Sequence, residues 1–574
     1  MKNQRCNDEG MALLLATIFV AIAILTLGTV MVGVVSERRQ VEFFENYEDC
    51  MFGIESAFAM SMASLGAGTG GLVGVAPGSG FNPLAPDPFA EPGVTPLNIA
   101  STLDPAHVYD PLRDVEYFAF TVNWMNDGTD NNGDGSVDEP QEFWYYTIYA
   151  YARQGGTLRR VEVVVQGQDV NVWRNAIFAG SGQAGGLVNG NVAIYGSVHL
   201  LGDNVLSGGQ VLTATLDIGG TSLIHNNYND LVDDPHLLTR VPALSTDTFN
   251  GEDVSTLEAV LRVRHGLVGL SGNSEIGERD AAGNTSKETL DGTYVTDGWT
   301  GTTTDDDGGR GIPTQVYSDN GWNETYDLGD RVPMPLLQDY WRDPGTGATQ
   351  WDSSRNDWYT HENYFREVMV GNPANPTDGL ITGDVVIDAK TSNYYYNASR
   401  PADTNPANRQ ATDDYILFNS TTDRMEINGQ IYINGSLTLT GQGNDQTIYY
   451  TGRGAILVNG NATIDTNLLT LNADGTAAQS YPAANCFGLM ASGNLSVGAG
   501  AQLDIMGGFY AQGTVTSSFQ TTTMGTFVGN FFNMGSKVPR IYQVPELANN
   551  LPLGMIGNYP IMFLGVESWR ELGI

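Results

Sequence analysis

The chain has 574 residues, and its 27 basic and 65 acidic residues give a formal net charge of −38. This length exceeds that of a usual single domain, so several domains are expected. Hydrophobic residues make up 41% of the chain, which excludes global disorder. The acidity excludes a phosphate-binding surface, since nucleic-acid affinity depends on Lys and Arg. The 70 glycines predict many turns, and three cysteines are too few for a disulfide framework.

The first informative segment is an uncharged apolar run from Met11 to Val35. Its 25 residues are enough for a helix to cross a hydrocarbon core about 30 Å thick, and they exceed the apolar part of a secretory signal. The residues that follow, up to Leu65, lack proline and carry apolar side chains at helical spacing. We therefore predict one long transmembrane and amphipathic helix over 11–65. A plain signal anchor followed by a juxtamembrane helix is the alternative interpretation.

A short polar leader, residues 1–10, ends in Gly10, and the apolar run begins at once with Met11. This junction, EGMALLLATIFVAIAILTLGTV, resembles the N-terminus of PilX-type minor pilins and, more broadly, of type IV prepilins and pseudopilins. The resemblance implies that prepilin peptidase cuts after Gly10 and that Met11 becomes a methylated N-terminus. Major pilins carry Glu at the fifth mature position, where this chain has Leu15, so the departure favours a minor or tip subunit.

Residues 66–97 are rich in Gly and Pro and are predicted to form a linker. Residues 98–175 then contain three predicted strands, Tyr117–Trp124, Phe143–Arg153 and Leu158–Gln166. A Gln-Gly-Gly turn separates the last two strands, which predicts an antiparallel hairpin. This short β-meander also resembles the segment that follows the helix in PilX-like proteins.

An acidic loop joins the first two of these strands and has the ligand spacing of a calcium site. Asp130, Asn132 and Asp134 occupy alternate positions, and Gly135 permits the sharp turn, as at the start of an EF-hand loop. The twelfth position is Gln141 rather than Glu, so other carboxylates must close the site. A solvated acidic loop without metal is the alternative. We predict one Ca²⁺, held by Asp127, Asp130, Asn132, Asp134, Asp138 and Glu139.

From residue 176 onward, short β-branched runs alternate with Asn-Gly and Gly-Asn pairs. The run VNGNVAI at Val188–Ile194 returns as VNGNATI at Val458–Ile464, with looser copies at 433–439 and 491–497. This repeat predicts a parallel β-solenoid whose inward residues stack and whose Asn and Gly corners are left-handed. A β-sandwich with Asn-Gly hairpins is the alternative. Equivalent corners are predicted for Gly190, Gly435, Gly460 and Gly493.

The repeats place a first part of the solenoid at 176–235 and a second part at 376–537. Residues 236–375 lack the repeat, contain five of the nine tryptophans, and are predicted to be a loop-rich insertion. Residues 538–574 are predicted to cap the last coil, and their ESWREL ending also resembles PilX-like proteins. The predicted fold class is therefore mainly β. It combines a long N-terminal transmembrane α-helix, a short antiparallel β-meander and a parallel β-solenoid (β-helix) with an insertion.

No pattern in the sequence indicates catalysis. The adjacent acids Asp233-Asp234 and Asp413-Asp414 lie in no recognisable arrangement for glycoside hydrolysis. Serine-hydrolase, zinc-protease and P-loop motifs are absent from the sequence. We therefore expect a protein that is not an enzyme and whose cofactor is Ca²⁺.

The resemblance implies a membrane-anchored minor pilin or pseudopilin of a type IV pilus or type II secretion-like system. Its N-terminus would be cytoplasmic and its C-terminal domain periplasmic or extracellular. The expected partners are the bacterial inner membrane, prepilin peptidase and other pilins or pseudopilins, and not nucleic acid. The alternative is a signal-anchored β-helix protein that binds or modifies a surface polysaccharide. In that alternative the tryptophans of 236–375 stack on sugar rings instead of packing against one another.

Overall fold

The computed structural model divides the chain into two compact units. One unit is Met1–Asp169 with Met562–Ile574, and the other is Val170–Ile561. The described residues are 31, 38, 44, 46–65, 71–76, 80–98, 115–124, 145–169, 171–180, 192–202, 214–264, 266–270, 272–283, 285–295, 298–301, 315–321, 334–343, 349–370, 379–390, 393–441, 446–498, 502–517, 519–534, 539–557 and 562–572.

The strands are numbered in chain order. They are β1 Leu97–Asn98, β2 Glu116–Asn123, β3 Tyr145–Gln154, β4 Thr157–Asp169, β5 Ile177–Ala179, β6 Ala193–Tyr195, β7 Val198–Leu200, β8 Ala214–Ile218, β9 Leu223–His225, β10 Ser245–Phe249, β11 Glu252–Thr256, β12 Val260–Val263, β13 Leu267–Leu270, β14 Glu275–Ile276, β15 Gly292–Val295, β16 Trp299–Gly301, β17 Trp351–Asp352, β18 Asp357–Trp358, β19 Ile381–Thr382, β20 Val385–Asp388, β21 Tyr394–Asn397, β22 Tyr415–Asn419, β23 Arg424–Asn434, β24 Leu437–Thr440, β25 Thr447–Val458, β26 Ala462–Asp465, β27 Asn467–Thr470, β28 Cys486–Ala491, β29 Leu495–Val497, β30 Asp504–Ser517, β31 Thr522–Asn533, β32 Arg540–Tyr542 and β33 Met562–Glu571. The helical segments are 46–65, Pro88–Ala90, Val172–Arg174, Asn229–Asp233, Pro235–Leu238, His361–Tyr364, Phe365–Val370, Pro406–Asn408 and Pro545–Leu547.

The first unit is a five-stranded antiparallel sheet in the order β1-β2-β3-β4-β33, with the helix 46–65 packed against it. Cys50, Ile54 and Ala57 recur along one face of this helix and are buried in the core that it shares with the sheet. The predicted hairpin is confirmed, because β3 and β4 pair on either side of a turn at Gly155. Gly155 has a φ of +58°, a left-handed conformation that glycine adopts without steric cost.

The predicted fold class is wrong in its long transmembrane helix. Among the residues that the structure describes, no helix combines the length and the apolar character needed to cross a membrane. The described part of the predicted helix, 46–65, carries charged residues such as Glu48 and Glu55, and its apolar face covers a sheet. Most of the apolar run Met11–Val35 lies outside the described residues. The described chain is mainly β.

The second unit is dominated by a 21-stranded sheet in which neighbouring strands run parallel, except at the pairs β21–β22 and β22–β23. Equivalent residues of successive coils lie on top of one another, so a ladder of buried side chains runs through the interior. The residues of this ladder are fully buried or nearly so. Burial of such side chains between neighbouring coils is the main source of stabilisation in a stacked architecture. In spatial order they are Ile431, Ile456, Leu489, Phe509, Phe527, Ile177, Val198, Leu261 and Thr293.

The chain does not visit these coils in sequence order. β5 lies between β31 and β7, and β6 lies between β32 and β9. The chain therefore enters the stack in the middle and winds outward through β7, β12 and β15. It then resumes at the opposite end with β19 and β20 and returns coil by coil to β31, which closes the stack on β5.

Three of the four glycines predicted at equivalent corners are confirmed there, while Gly190 lies outside the described residues. A Cβ added at Gly460 would lie 2.6 Å from the carbonyl oxygen of Gly435, and one added at Gly493 would lie 2.9 Å from that of Gly460. None of these three glycines is among the residues with left-handed φ. The predicted reason was therefore wrong: glycine is needed because stacked backbones approach closely, not because the corner is left-handed.

Asparagine side chains hold the same corners together. The Oδ1 atom of Asn461 accepts a hydrogen bond of 2.9 Å from the backbone N–H of Asn494, one coil further along. The Oδ1 atom of Asn494 in turn accepts one of 2.8 Å from the N–H of Thr514. The Asn-Gly repeat thus reflects a corner where the glycine permits close approach and a following polar residue bonds the next coil.

Part of the segment predicted as an insertion belongs to the stack. Strand β12 pairs in parallel with β7 on one side and with β15 on the other. The corners that follow β12 and β15 end in Gly266 and Gly298, which have left-handed φ values of +102° and +99°. No Asn-Gly pair stands at either corner, since Gly266 follows His265 and Gly298 follows Asp297 in the sequence, which is why the repeat is not visible in this part of the chain. Outside the stack, the segment forms the hairpin β17–β18 and the helical turns His361–Tyr364 and Phe365–Val370.

The C-terminal residues 538–574, predicted to cap the last coil, contribute to both units. β32 pairs with β31 and β6 inside the parallel stack. β33 pairs antiparallel with β4 as a strand of the five-stranded sheet.

Candidate functional site

The residues predicted to be functional from the sequence lie outside the described residues. This applies to Gly10 and Met11 and to all six predicted metal ligands, Asp127, Asp130, Asn132, Asp134, Asp138 and Glu139. Within the described ranges, no group of three or more His, Cys, Asp or Glu side chains is arranged to hold a metal ion.

The strands that flank the acidic loop are described, and they bring its two ends together. β2 and β3 pair up to Asn123 opposite Tyr146. Trp124 stacks on Tyr145 with ring centroids 4.9 Å apart, and its Nε1 donates a 2.7 Å hydrogen bond to the hydroxyl of Thr147. The loop 125–144 therefore starts and ends on a closed hairpin base.

Among the described residues of the second unit, the hairpin β17–β18 carries exposed aromatic side chains. Trp351 pairs directly with Trp358, and their rings meet edge to face with centroids 5.2 Å apart. Tyr340 forms an antiparallel bridge to Thr360, two residues beyond Trp358. Trp351 and Trp358 are cross-strand partners and share one face of the hairpin, and the Tyr340 hydroxyl reaches Asp357 beside Trp358. We call Tyr340, Trp351 and Trp358 the aromatic row.

The three rings of the aromatic row are partly open to solvent. Tyr340 is 50% exposed, Trp351 47% and Trp358 39%. Polar groups border them: the carboxylate of Asp357 accepts hydrogen bonds from the Tyr340 hydroxyl at 3.3 Å and from the backbone N–H of Trp358 at 2.8 Å. The row therefore combines apolar ring faces with oxygen acceptors at its edge.

The opposite face of the hairpin is fixed by buried charges. Arg355 in the turn bonds the carboxylate of Asp352 and, through both terminal nitrogens, that of Glu367. Burial acts to raise the pKa of Asp352, but hydrogen bonds from Ser354 and Arg355 outweigh it and hold the pKa at about 2. Both carboxylates are thus ionised near neutral pH, and removing one partner would leave a buried charge uncompensated.

The other tryptophans of the segment 236–375 have different surroundings. Trp341 is buried and stacks on Tyr364, with ring centroids 3.6 Å apart. Trp299 lies half-buried in β16, and Trp322 lies outside the described residues. The sequence interpretation treated these tryptophans as one set, whereas the structure separates an exposed pair from a packed residue.

A stack of three rings on the solenoid was missed from the sequence. Tyr542, Tyr195 and His225 lie on successive coils, with ring centroids 4.1 Å and 4.5 Å apart. The hydroxyl of Tyr195 donates to the carboxylate of Asp230, and burial lowers the pKa of His225 to about 4. The available signal was the tripeptide pattern AIY, LIH and RIY, in which an aromatic ring follows isoleucine on each strand.

The adjacent acids considered for catalysis include one that anchors a loop. Asp413 accepts hydrogen bonds from Arg400 and from Asn397, and the bond from Arg400 contributes most to lowering its pKa to about 2. Its neighbour Asp414 accepts hydrogen bonds from the backbone of Gln430 and from Ser399.

Cys50 and Cys486 are both buried free thiols. Burial is the main cause that raises the pKa of Cys50 to about 11 and that of Cys486 to about 12. Both therefore remain protonated, and poor nucleophiles, near neutral pH.

The chain was compared with known protein families, curated sequences and solved structures. No known protein family and no curated protein sequence matches the chain. The chain is similar to the competence-associated pilin ComZ from Thermus thermophilus, at 17% sequence identity and a TM-score of 0.47. The match covers 92% of this chain and 97% of that pilin.

Proposed function

We propose that the chain is a membrane-anchored, PilX-like minor pilin or pseudopilin that displays its β-solenoid outside the inner membrane. The observation that carries the proposal is the leader junction, where Gly10 directly precedes Met11 and an uncharged apolar run. The helix 46–65, packed on an antiparallel sheet, supports it, because the sheet follows an N-terminal helix as the resemblance implies.

The proposed work of the protein is assembly and contact rather than turnover. Prepilin peptidase cuts after Gly10, Met11 is methylated, and the subunit assembles with other pilins or pseudopilins at the inner membrane. The β-solenoid would then lie in the periplasm or at the cell surface. Its stacked coils supply a stiff body, because each coil bonds to its neighbours along whole strands.

Affinity purification from solubilised host membranes tests this function. The full chain carrying a C-terminal tag is expected to bring down pilins or pseudopilins with prepilin-type N-termini. A Gly10→Arg variant should recover far fewer of them, because an uncut subunit is excluded from assembly. Failure of both forms to recover any pilin-class protein would contradict the proposal.

The second candidate, a signal-anchored carbohydrate-binding protein, is favoured by the solvent exposure of Trp351 and Trp358. The two candidates differ at the leader, since a plain anchor retains residues 1–10. They make no different prediction for the second unit. Ligand binding by the aromatic row is therefore tested separately from the processing of the N-terminus.

A further inference from the structure

Three large aromatic side chains are presented together on one small sheet. Trp351 and Trp358 are cross-strand partners, and Tyr340 lies opposite Thr360 on the next segment. Adjacent exposed aromatic residues of this size are unusual on a surface with no binding role. Tyr and Trp are also the residues that suit a contact with both apolar and polar character.

The aromatic row is held in place before any ligand arrives. Below it, Arg355 ties the hairpin to Glu367, and Trp341, next to Tyr340, stacks on Tyr364. The backbone of Trp341 also donates to the carbonyl of Tyr359 at 2.8 Å, which joins the Tyr340 segment to the hairpin. A surface fixed in this way loses little conformational entropy on binding.

The charges around the row disfavour an anionic ligand. The carboxylate of Asp357 lies at its edge, and Asp339 accepts a 2.7 Å hydrogen bond from the backbone of Leu336 nearby. The positive charge of Arg355 is compensated by Asp352 and Glu367. With a net charge of −38, the whole chain also repels acidic polymers.

The same features select a partner with apolar faces and neutral hydroxyl groups. The ring faces of the row need apolar C–H surface, and the oxygen atoms of Asp357 accept hydrogen bonds at its border. A pyranose ring supplies both, with its C–H face against an indole and its hydroxyls donating to the carboxylate.

We propose that Tyr340, Trp351 and Trp358 form a binding platform for a neutral oligosaccharide or polysaccharide chain. The platform does not depend on how the N-terminus is processed, so it can hold whether or not the chain is a pilin. The function added to the protein is recognition of a neutral glycan.

Calorimetric titration of the full chain tests the platform, with cellohexaose, maltohexaose and chitohexaose as neutral probes. At least one is expected to bind, and Trp351→Ala and Trp358→Ala should each weaken that binding about tenfold or more. Trp358→Phe should keep most of the affinity, since phenylalanine retains a ring face. Tyr340→Ala provides a third variant, and thermal unfolding of each variant checks that it is folded.

Trp569→Ala is the matched control. Trp569 is 44% exposed, but it lies on β33 of the five-stranded sheet and is not part of the aromatic row. Its affinity for the neutral probe should equal that of the wild type. Choline chloride and hexagalacturonate serve as cationic and anionic probes, and sedimentation velocity reports self-association. The proposal is overturned if no neutral probe binds, if the alanine variants bind unchanged, if only a charged probe binds, or if the row instead mediates a dimer.

Discussion

At a corner of the stacked coils, a Cβ added to Gly460 would lie 2.6 Å from the carbonyl oxygen of Gly435. Non-bonded carbon and oxygen atoms cannot approach so closely, and the neighbour is backbone that cannot rotate away. We therefore expect Gly460→Ala to lower the free energy of unfolding by about 1–3 kcal/mol, the usual cost of overpacking. Urea denaturation followed by circular dichroism measures it.

Gly156→Ala is the control for this substitution, because nothing lies within 4 Å of a Cβ built there. Its effect should stay within about 0.5 kcal/mol. If both variants unfold at the same urea concentration as the wild type, close backbone approach does not explain the corner glycines.

His361 is a buried residue whose titration should be visible in the stability of the protein. It is 6% exposed, and its Nε2 lies 2.9 Å from the carbonyl oxygen of Gly554. Burial lowers its pKa to about 4, although the hydrogen bond to Gly554 acts in the opposite direction. The neutral ring is favoured in the folded state, so its contribution is complete above pH 6.5 and is lost as the pH falls toward 4.

Between pH 7 and pH 4.5, this lowered pKa corresponds to a loss of roughly 2–3 kcal/mol of stability. His361→Gln should remove that part of the pH dependence, whatever its effect at pH 7. Denaturation curves at the two pH values for both proteins test this assignment, and equal pH dependence in His361→Gln and wild type would refute it.

Individual residues show how far the sequence could be interpreted. The Asn-Gly pairs at Gly435 and Gly460 and the Ser-Gly pair at Gly493 correctly predicted equivalent corners, because short-range chemistry and repetition both mark them. The reason for the glycine was not predictable, since it depends on the backbone of the next coil. The corners at Gly266 and Gly298 carry no Asn-Gly pair, so the repeat did not reveal that the stack continues there.

Among the secondary-structure elements, strand existence was predictable and strand order was not. Runs such as Val458–Ile464 mark the end of one strand, a corner and the start of the next strand. Nothing local indicates that β31 closes on β5, since that pairing joins residues from opposite ends of the unit. The exposure of the hairpin β17–β18 was equally unpredictable from the sequence. Tryptophan content alone does not distinguish an exposed ring from a buried one such as Trp341.

The hairpin β2–β3 is the element on which the calcium prediction rests. Its closed base brings the ends of loop 125–144 together, so Asp130 and Asp134 would belong to a loop of fixed span. At free Ca²⁺ tenfold above the dissociation constant, binding should stabilise the protein by about 1.4 kcal/mol. Asp130→Ala combined with Asp134→Ala should abolish the heat of Ca²⁺ binding in a titration of the full chain.

The control is the double variant Asp247→Ala with Asp253→Ala, which removes two exposed carboxylates from the hairpin β10–β11. It should bind Ca²⁺ as the wild type does. Absence of heat from the wild type at millimolar Ca²⁺ would show that the acidic loop is simply solvated.

At the scale of the whole molecule, each unit has its own core and its own architecture. One unit places an amphipathic helix on an antiparallel sheet, and the other stacks parallel coils around a continuous apolar ladder. The sequence distinguishes the two units by pattern. The first has strands on either side of a Gly-Gly turn, and the second has repeats with Asn-Gly corners. The sequence did not show that the last strand, β33, returns to the sheet of the first unit, because that pairing spans almost the whole chain.

The central claim is that the chain is processed as a prepilin, and the mass of its mature N-terminal peptide tests this most directly. The chain is extracted from host membranes, digested, and analysed by mass spectrometry. The account predicts a peptide that begins at Met11 with one added methyl group on its amino terminus. An intact N-terminus at Met1, or a cut beyond Val35, would contradict it.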